Sequence, residues 1–485
     1  MQTAYNGILF KNLMDKKWVK AINNFFESNL FIAFFAVLVI FCNLFGLELF
    51  VYPLVVSYGI YTCLFGRDMR TLGVATPFMY LSPSAKNNPA ANANSMFRFE
   101  NGLWMIIAYL SVFLVVLAIR IIVNWKRGLF AGAQCKLLTG FIFLAYAFIL
   151  GGLGQPEYTF AGFVYSVLLI ITLGLLYVVL TLLVDWKTMR KDYFAWIGMF
   201  MGLIVVFELL NVYLQGGVID ADGYIAVMKV FSGWGMNNNI AGVLICTIPC
   251  AFYLAATKET PFLYVFCATI IYIAAVFTSS RNGVLVGGFI FVVSALFALI
   301  PKKNRRKNII IYLSILLVAC AVGFAFWRVL RGVLNHLIED GIVDVSRINL
   351  FKDGLRQFIA APITGKGFFA CDTYIWNEAS LLVIPPRWHC TVVQVLASCG
   401  IIGAIAYGFH RYQTVKILLE KPTLDKMFMA LSISALLISS LFDCFLFNLG
   451  PCLFYSVTLA FLEKSNLTTT SSKMFYERMR ARSPK

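Results

Sequence analysis

The chain has 485 residues, of which 60% are hydrophobic and 13% charged, against ~25% charged in ordinary soluble domains, and its mean hydropathy is +0.81. These figures exclude a soluble globular enzyme, a disordered chain and a fibrous protein, and leave a polytopic membrane protein. The net charge of +17, from 40 Lys+Arg against 23 Asp+Glu, points either to a nucleic-acid partner or to basic residues collected in cytoplasmic loops.

Residues 8–26 (ILFKNLMDKKWVKAINNFF) mix Lys with Leu, Trp and Phe. They read as an amphipathic interfacial helix, not a signal peptide. A spanning helix needs about 20 mainly apolar residues. Apolar runs follow at 30–47, 49–66, 102–123, 137–154, 161–184, 194–214, 238–256, 261–279, 284–300, 308–327, 391–409, 428–442 and 445–462. None shows the two-residue alternation of a membrane barrel. The pattern predicts an all-α, polytopic transmembrane helical bundle of 12–14 spans, with one long external loop that contains short amphipathic helices. The range comes from the start of the chain. There, either 30–66 crosses an odd number of times, or 71–83 (TLGVATPFMYLSP) makes a broken extra crossing.

Basic residues set the orientation. Residues 301–308 (PKKNRRKN) carry five basic groups and are expected in the cytoplasm. Alternation then puts 124–136, 185–193, 257–260, 410–427 and 464–485 on the same side. With 1–29, these segments hold slightly more than the whole net charge. The +17 therefore reports orientation, and no nucleic-acid partner is expected. The predicted organisation is a cytoplasmic amphipathic N-terminus (1–29), the N-terminal part of the bundle (30–327), an external loop (328–390), C-terminal transmembrane helices (391–463) and a basic cytoplasmic tail (464–485). Most of the twelve cysteines lie in apolar runs, as small hydrophobes do. Cys371 and Cys390 could pair in an oxidising compartment, but the ordinary expectation is two thiols.

The 328–390 loop is nearly balanced, with seven basic groups (Arg328, Arg331, Arg347, Lys352, Arg356, Lys366, Arg387) and six acidic ones. A connection of this length is usually functional. Within it, 346–359 places Ile348, Phe351, Leu355 and Phe358 at helical spacing, Pro362 ends the helix, and the glycines of ITGKGFF make a turn. Three residues stand out on the outer side. Arg281, in FTSSRNGVLVGG (277–288), sits at the mouth between two spans beside Ser280; a guanidinium there suits a phosphate or diphosphate, and the ordinary alternative is snorkelling to headgroups. Arg347 opens the loop helix, and with Arg356 and Lys366 it could form a second basic wall; the ordinary alternative is a solvated face paired with Asp344 or Asp353. His389, where the loop re-enters the membrane, could take a proton from a hydroxyl, against a plain hydrogen-bonded interfacial histidine. His336 and His410 lie elsewhere. Asn237, Asn238 and Asn239 could cap a span or contact a glycan. Asp220 and Asp222 read as a turn, because the other ligands of a calcium loop are missing. Glu208 and Asp443 lie within or at the edge of spans and need partners, bracing the bundle or bonding a sugar. No P-loop, GxGxxG or metal-ligand cluster occurs, and neither a cofactor nor a metal is expected.

Taken together, GMNNNIAGVLICTIPCA (235–251), TSSRNGVLVG (278–287), RINLFKDGLRQFIAAPITGKGF (347–368), and His389 with the apolar stretch ending GIIG (400–403) make the chain resemble the bacterial O-antigen ligase and polysaccharide polymerase superfamily. The likeness covers roughly 195–462. Cys390 stands where that family often has Asn after the histidine. The resemblance implies a polytopic glycosyltransferase of the cytoplasmic (inner) membrane with its site facing outward. It implies that Arg281 and Arg347 hold the diphosphate of a polyprenyl-linked glycan donor, and that His389 orients or deprotonates a hydroxyl on a glycan or lipid acceptor. Ser280, Asn239, Arg356, Lys366 and Arg387 are the expected substrate-binding residues, and membrane lipid is the remaining partner. A transporter or flippase of lipid-linked glycan is the alternative from another class; inverted repeats or paired broken helices would favour it.

Overall fold

The computed structural model describes residues 16–82, 102–126, 135–219, 225, 229–233, 235–325, 327, 345–368 and 388–468. Arg387, Cys371, His336, Asp220 and Asp222 lie outside the described residues.

Each predicted apolar run is a helix. In chain order they are α1 (Lys17–Phe26), α2 (Asn29–Phe45), α3 (Glu48–Phe65), α4 (Leu72–Tyr80), α5 (Gly102–Lys126) and α6 (Leu138–Leu150). Next, α7 consists of Phe160–Ile170, a π turn over Ile171–Leu175, and Leu176–Leu183. It is followed by α8 (Tyr193–Leu214), α9 (Asn237–Thr257), α10 (Pro261–Phe277), α11 (Arg281–Phe297) and α12 (Arg305–Ala325). The last four are α13 (Val345–Ala360), α14 (Thr391–Leu419), α15 (Leu424–Ser439) and α16 (Leu449–Lys464). The described strands are one two-residue hairpin, Phe231–Ser232 against Gly235–Met236. The chain is a helical polytopic bundle. Gly162–Leu183, Tyr193–Leu214, Asn237–Thr257 and Thr391–Leu419 are individually long and apolar enough to cross a membrane, and α1 with α2, bent by 72°, could make a fifth. Several shorter apolar helices, such as α10 and α11, pack among them. The described full-length spans are thus fewer than the predicted 12–14.

Helix faces follow lipid logic. On α11, Leu285, Phe289, Val292 and Leu296 recur at helical spacing and are exposed, while Gly283, Val286, Gly287, Ile290 and Ser294 turn inward. Large apolar side chains outside and small residues inside suit a hydrocarbon solvent, where close backbone approach provides the packing energy. The α8–α9 contact works the same way. Gly198 and Gly202, one turn apart, face Cys250 and Thr247, and a Cβ on either would come within 2.3 Å and 2.6 Å of those side chains. Helix α9 is almost wholly buried and is the centre of the core.

Polar contacts sort the connections to two ends. At one end, Asp192 joins Arg190 (2.6 Å) and Lys258, Lys303 meets Glu259 (3.6 Å), Lys191 approaches Asp425 (4.0 Å), and Lys136 pairs with Glu420. These are the segments that charge alone assigned to one side. Burial pushes the Asp192 carboxyl up, but the Arg190 and Lys258 charges outweigh it and hold it below the usual carboxylate range. The turn before α4 belongs to this end as well: Arg70 is bound to buried Asp68 at 2.6 Å and donates to Thr188, and the Asp185 N–H donates to Asp68. At its other terminus α4 reaches the opposite end, where Asn43 donates to the Leu81 carbonyl and Tyr80 packs against Gly450. Residues 71–82 thus run as a short buried helix between the Asp68–Arg70 contacts and Gly450.

Candidate functional site

The end opposite the basic one gathers the 151–158 turn, the start of α9, the α10–α11 turn, α13 with the turn after it, the start of α14 and the α15–α16 connection. That connection (residues 440–448) is the hub. Arg347 Nη1 donates to the Phe442 carbonyl at 2.7 Å. His389 Nδ1 lies 3.4 Å from Asp443 Oδ1, and the same oxygen accepts the Cys444 N–H at 2.7 Å. Asn448 donates to Asn239 Oδ1 at 2.6 Å, and Ser280 Oγ donates to Asn238 Oδ1 at 2.7 Å, directly beside Arg281. Arg347 and His389, far apart in sequence, are therefore tied by short contacts to one connection, and the turn before Arg281 reaches it indirectly, through Asn238 and Asn239 at the start of α9.

Both turns that carry the candidate chemistry are strained. Ser279 (φ 52°) and His389 (φ 50°) adopt the left-handed backbone that side chains disfavour, a conformation that clusters at functional sites. Thr278, Ser279 and Ser280 are buried, and the Thr278 hydroxyl accepts from the Ser280 N–H at 3.3 Å. The buried polar atoms without a hydrogen-bond partner include, at these turns, Ser279 Oγ, both amide atoms of Asn282, His389 Nδ1, Thr391 Oγ1, Ser439 Oγ and Ser440 Oγ; the 3.4 Å approach of His389 Nδ1 to Asp443 is an ion-pair distance and not a formed hydrogen bond. Each such group ordinarily costs about 1–3 kcal/mol. Among the described residues no three His, Cys, Asp or Glu side chains converge to hold a metal ion.

A splice in α14 positions the loop helix. At Gly400 the backbone leaves the helix (φ 61°, ψ −156°). The freed groups are taken up by the turn after α13: Lys366 and Gly367 N–H donate to Ala397 and Ser398 carbonyls at 2.9 and 3.0 Å, and Ile401 and Ile402 N–H donate to Pro362 and Ile363 carbonyls at 2.9 and 3.3 Å. A Cβ at Gly400 would sit 2.4 Å from the Ile363 carbonyl. Gly354 lets α13 lie against Trp388 and Val393. Thus Arg347 and His389 are set relative to each other by backbone hydrogen bonds.

Other expected site residues are placed differently. Arg356 is 77% exposed and bonds Asp353 one turn away at 3.0 Å, the solvated-face arrangement. Lys366 bonds Glu157 at 2.8 Å across to the 151–158 turn, and this bond draws the Glu157 carboxyl below its usual range. Neither contact joins Arg347 in a second basic wall. Asn237, Asn238 and Asn239 are not caps: Met236 is the N-cap of α9 and makes no side-chain bond. Asp443, the partner of His389, was marked in the sequence only as a carboxylate in need of a partner. Proximity to His389 in the fold, not spacing, is what singles it out. Cys390 is a buried free thiol.

No curated protein matches the chain. Residues 265–408 match the family model described as O-antigen ligase. The matched region holds the Ser-Arg turn, α13 and His389, and stops short of Asp443. That match supports placing this membrane protein in the O-antigen ligase and polysaccharide polymerase superfamily.

Proposed function

We propose that the chain transfers or polymerises glycan from a polyprenyl-diphosphate carrier onto an acceptor hydroxyl at the outer face of the cytoplasmic membrane, as an inverting glycosyltransferase that relies on fixed cations. The observation that carries this reading is that Arg347 and His389 both meet the α15–α16 connection at the end away from the basic loops, with the Ser280–Arg281 turn linked to it through the asparagines that open α9. The orphaned polar atoms around it support a surface built for a polar ligand.

The chemistry balances with these residues alone. The acceptor oxygen attacks the anomeric carbon from the face opposite the carrier, and the bond from that carbon to the diphosphate oxygen breaks with its electron pair. Negative charge grows on the departing diphosphate, where Arg281 and Arg347 stabilise it. His389 Nδ1 lies 3.4 Å from Asp443 Oδ1 without a formed hydrogen bond. Closing that gap in the substrate complex would fix the ring, leave Nε2 to accept the hydroxyl proton, and let Asp443 stabilise the charged ring, as a carboxylate does for a catalytic histidine.

The test is purified protein supplied with lipid-linked repeat units alone. Chain growth identifies a polymerase, and transfer only after a separate acceptor is added identifies a ligase. Transfer from neither mixture, by protein that binds the donor, would overturn the proposal.

A further inference from the structure

Helix α13 has an apolar arc of about 100° that is packed along one edge and bare along the other. Phe351 and Phe358 are half-buried on the side where Gly354 meets Trp388 and Val393. Ile348, Leu355 and Ile359 are exposed on the adjoining arc, within about 40° of one another at 3.6 residues per turn. Ile359 is 73% exposed, and Ile363, just past the helix, is 64% exposed. Ala360 and Pro362 between them are exposed too. Lys352 and Arg356 border this stripe and are also exposed.

The stripe leads into the outer wall of the bundle. Pro362 and Ile363 carbonyls bond the Ile401 and Ile402 N–H groups. Ile401, Ile402 and Ile405 are exposed on the spanning helix α14. These bonds lie just past the C-terminal end of α13, so the stripe ends beside the exposed Ile401, Ile402 and Ile405 face of α14. Arg347, at the other end, remains beside the α15–α16 connection.

We propose that α13 is an inclined interfacial helix whose exposed stripe (Leu355, Ile359, Ile363) lies among the acyl chains of the bilayer, with Lys352 and Arg356 at the phosphates of anionic phospholipid. The occupant is lipid because the stripe is continuous with the face of a spanning helix that hydrocarbon must cover. The basic border follows the same pattern: long cationic side chains run up to the headgroups. Asp353 bonds Arg356, but both are exposed, so the pair leaves Arg356 open to a phosphate. The lipid contact rests on the membrane nature of the bundle, not on glycosyl transfer. It would hold the helix that carries Arg347 against the leaflet.

The test uses the full chain in nanodiscs of phosphatidylcholine and phosphatidylglycerol. A nitroxide is attached at Ile359→Cys, at Ile363→Cys or at Lys352→Cys, with the labelled native chain as baseline. Labels at 359 and 363 should be relaxed by oxygen and shielded from a water-soluble nickel chelate, and the label at 352 should show the reverse. Lys352→Gln with Arg356→Gln should lower the preference for spin-labelled phosphatidylglycerol over phosphatidylcholine, by about fivefold per charge removed. Equal nickel access at 359 and 352, or shielding of 359 from both reagents by a second copy or another protein segment, overturns the proposal. So does an unchanged lipid preference.

Discussion

Replacing Asp443 by Asn separates the electrostatic role of the carboxylate from its role in the turn. Asn retains a carbonyl oxygen for the Cys444 N–H, now bonded at 2.7 Å, so the connection should keep its shape. It loses the charge that faces His389 Nδ1 at 3.4 Å. Two unit charges at that separation interact by ~2.4 kcal/mol at an effective dielectric of about 40, between the protein surface and water, which suits a partly exposed ring. That energy, present once His389 has taken the proton, corresponds to about 60-fold in rate. The assay is initial transfer from a lipid-linked donor by reconstituted Asp443→Asn, with His389→Ala and the double variant in parallel. The double variant should be no slower than His389→Ala, because the carboxylate acts through the ring. A loss under threefold, or losses that multiply in the double variant, would refute a joint role for the two residues.

Gly400→Ala forces a side chain into φ 61°, 2.4 Å from the Ile363 carbonyl. It should cost at least about 1–3 kcal/mol, seen as a lower thermal midpoint in detergent, and transfer should fall as Arg347 moves relative to His389. Gly198→Val at the α8–α9 contact, where Cys250 Sγ would lie 2.3 Å from the new Cβ, should lower the midpoint by a similar overpacking effect of about 1–3 kcal/mol, with α14 unaffected. Glu157 has its folded pKa lowered by the Lys366 hydrogen bond. Its stabilising contribution is therefore present above the unfolded carboxylate pKa and lost as pH falls through the lowered folded value. Lys366→Ala should remove that part of the acid sensitivity, measured as thermal midpoint against pH between 6 and about 3.

The helices were legible because hydropathy over about 20 residues is a strong local signal, and the basic connections at one end were legible because charge is countable. What escaped was decided by contact. The apolar run at 391 ends near 409 in the sequence, yet α14 continues to Leu419. It does so because His410 and Arg411 are taken inward: the Arg411 guanidinium lies over the Tyr407 and Tyr455 rings at 4.6 and 5.0 Å, and His410 Nε2 meets the Tyr455 hydroxyl at 3.2 Å. The break at Gly400 was equally invisible, since its carbonyls and N–H groups are satisfied by a turn more than thirty residues upstream. In α13, helical spacing grouped Ile348, Phe351, Leu355 and Phe358 on one apolar face, whereas packing against Gly354 draws the phenylalanines in and leaves the others out. Arg356 lies nine residues after Arg347, half-way round the same helix, so helical spacing alone sets the two apart. Arginine at membrane depth demands a reason, which marks Arg281 in the sequence, whereas Arg347 opens a loop helix and takes its role only from the family resemblance. Asp443 gave no comparable signal, because one carboxylate at a span edge has many ordinary uses.

Diphosphate release from a lipid-linked donor is the most direct measurement, comparing native protein with Arg281→Ala in matched amounts after reconstitution. Arg281 begins α11 beside the Ser280–Asn238 contact and is half-buried, so insertion and thermal midpoint are measured alongside activity and should match the native protein's. Fixed cations on the leaving group predict that Arg281→Ala abolishes both diphosphate release and glycan transfer. Normal polymer formation by a well-inserted Arg281→Ala variant would contradict that role and, with it, the glycosyltransferase assignment.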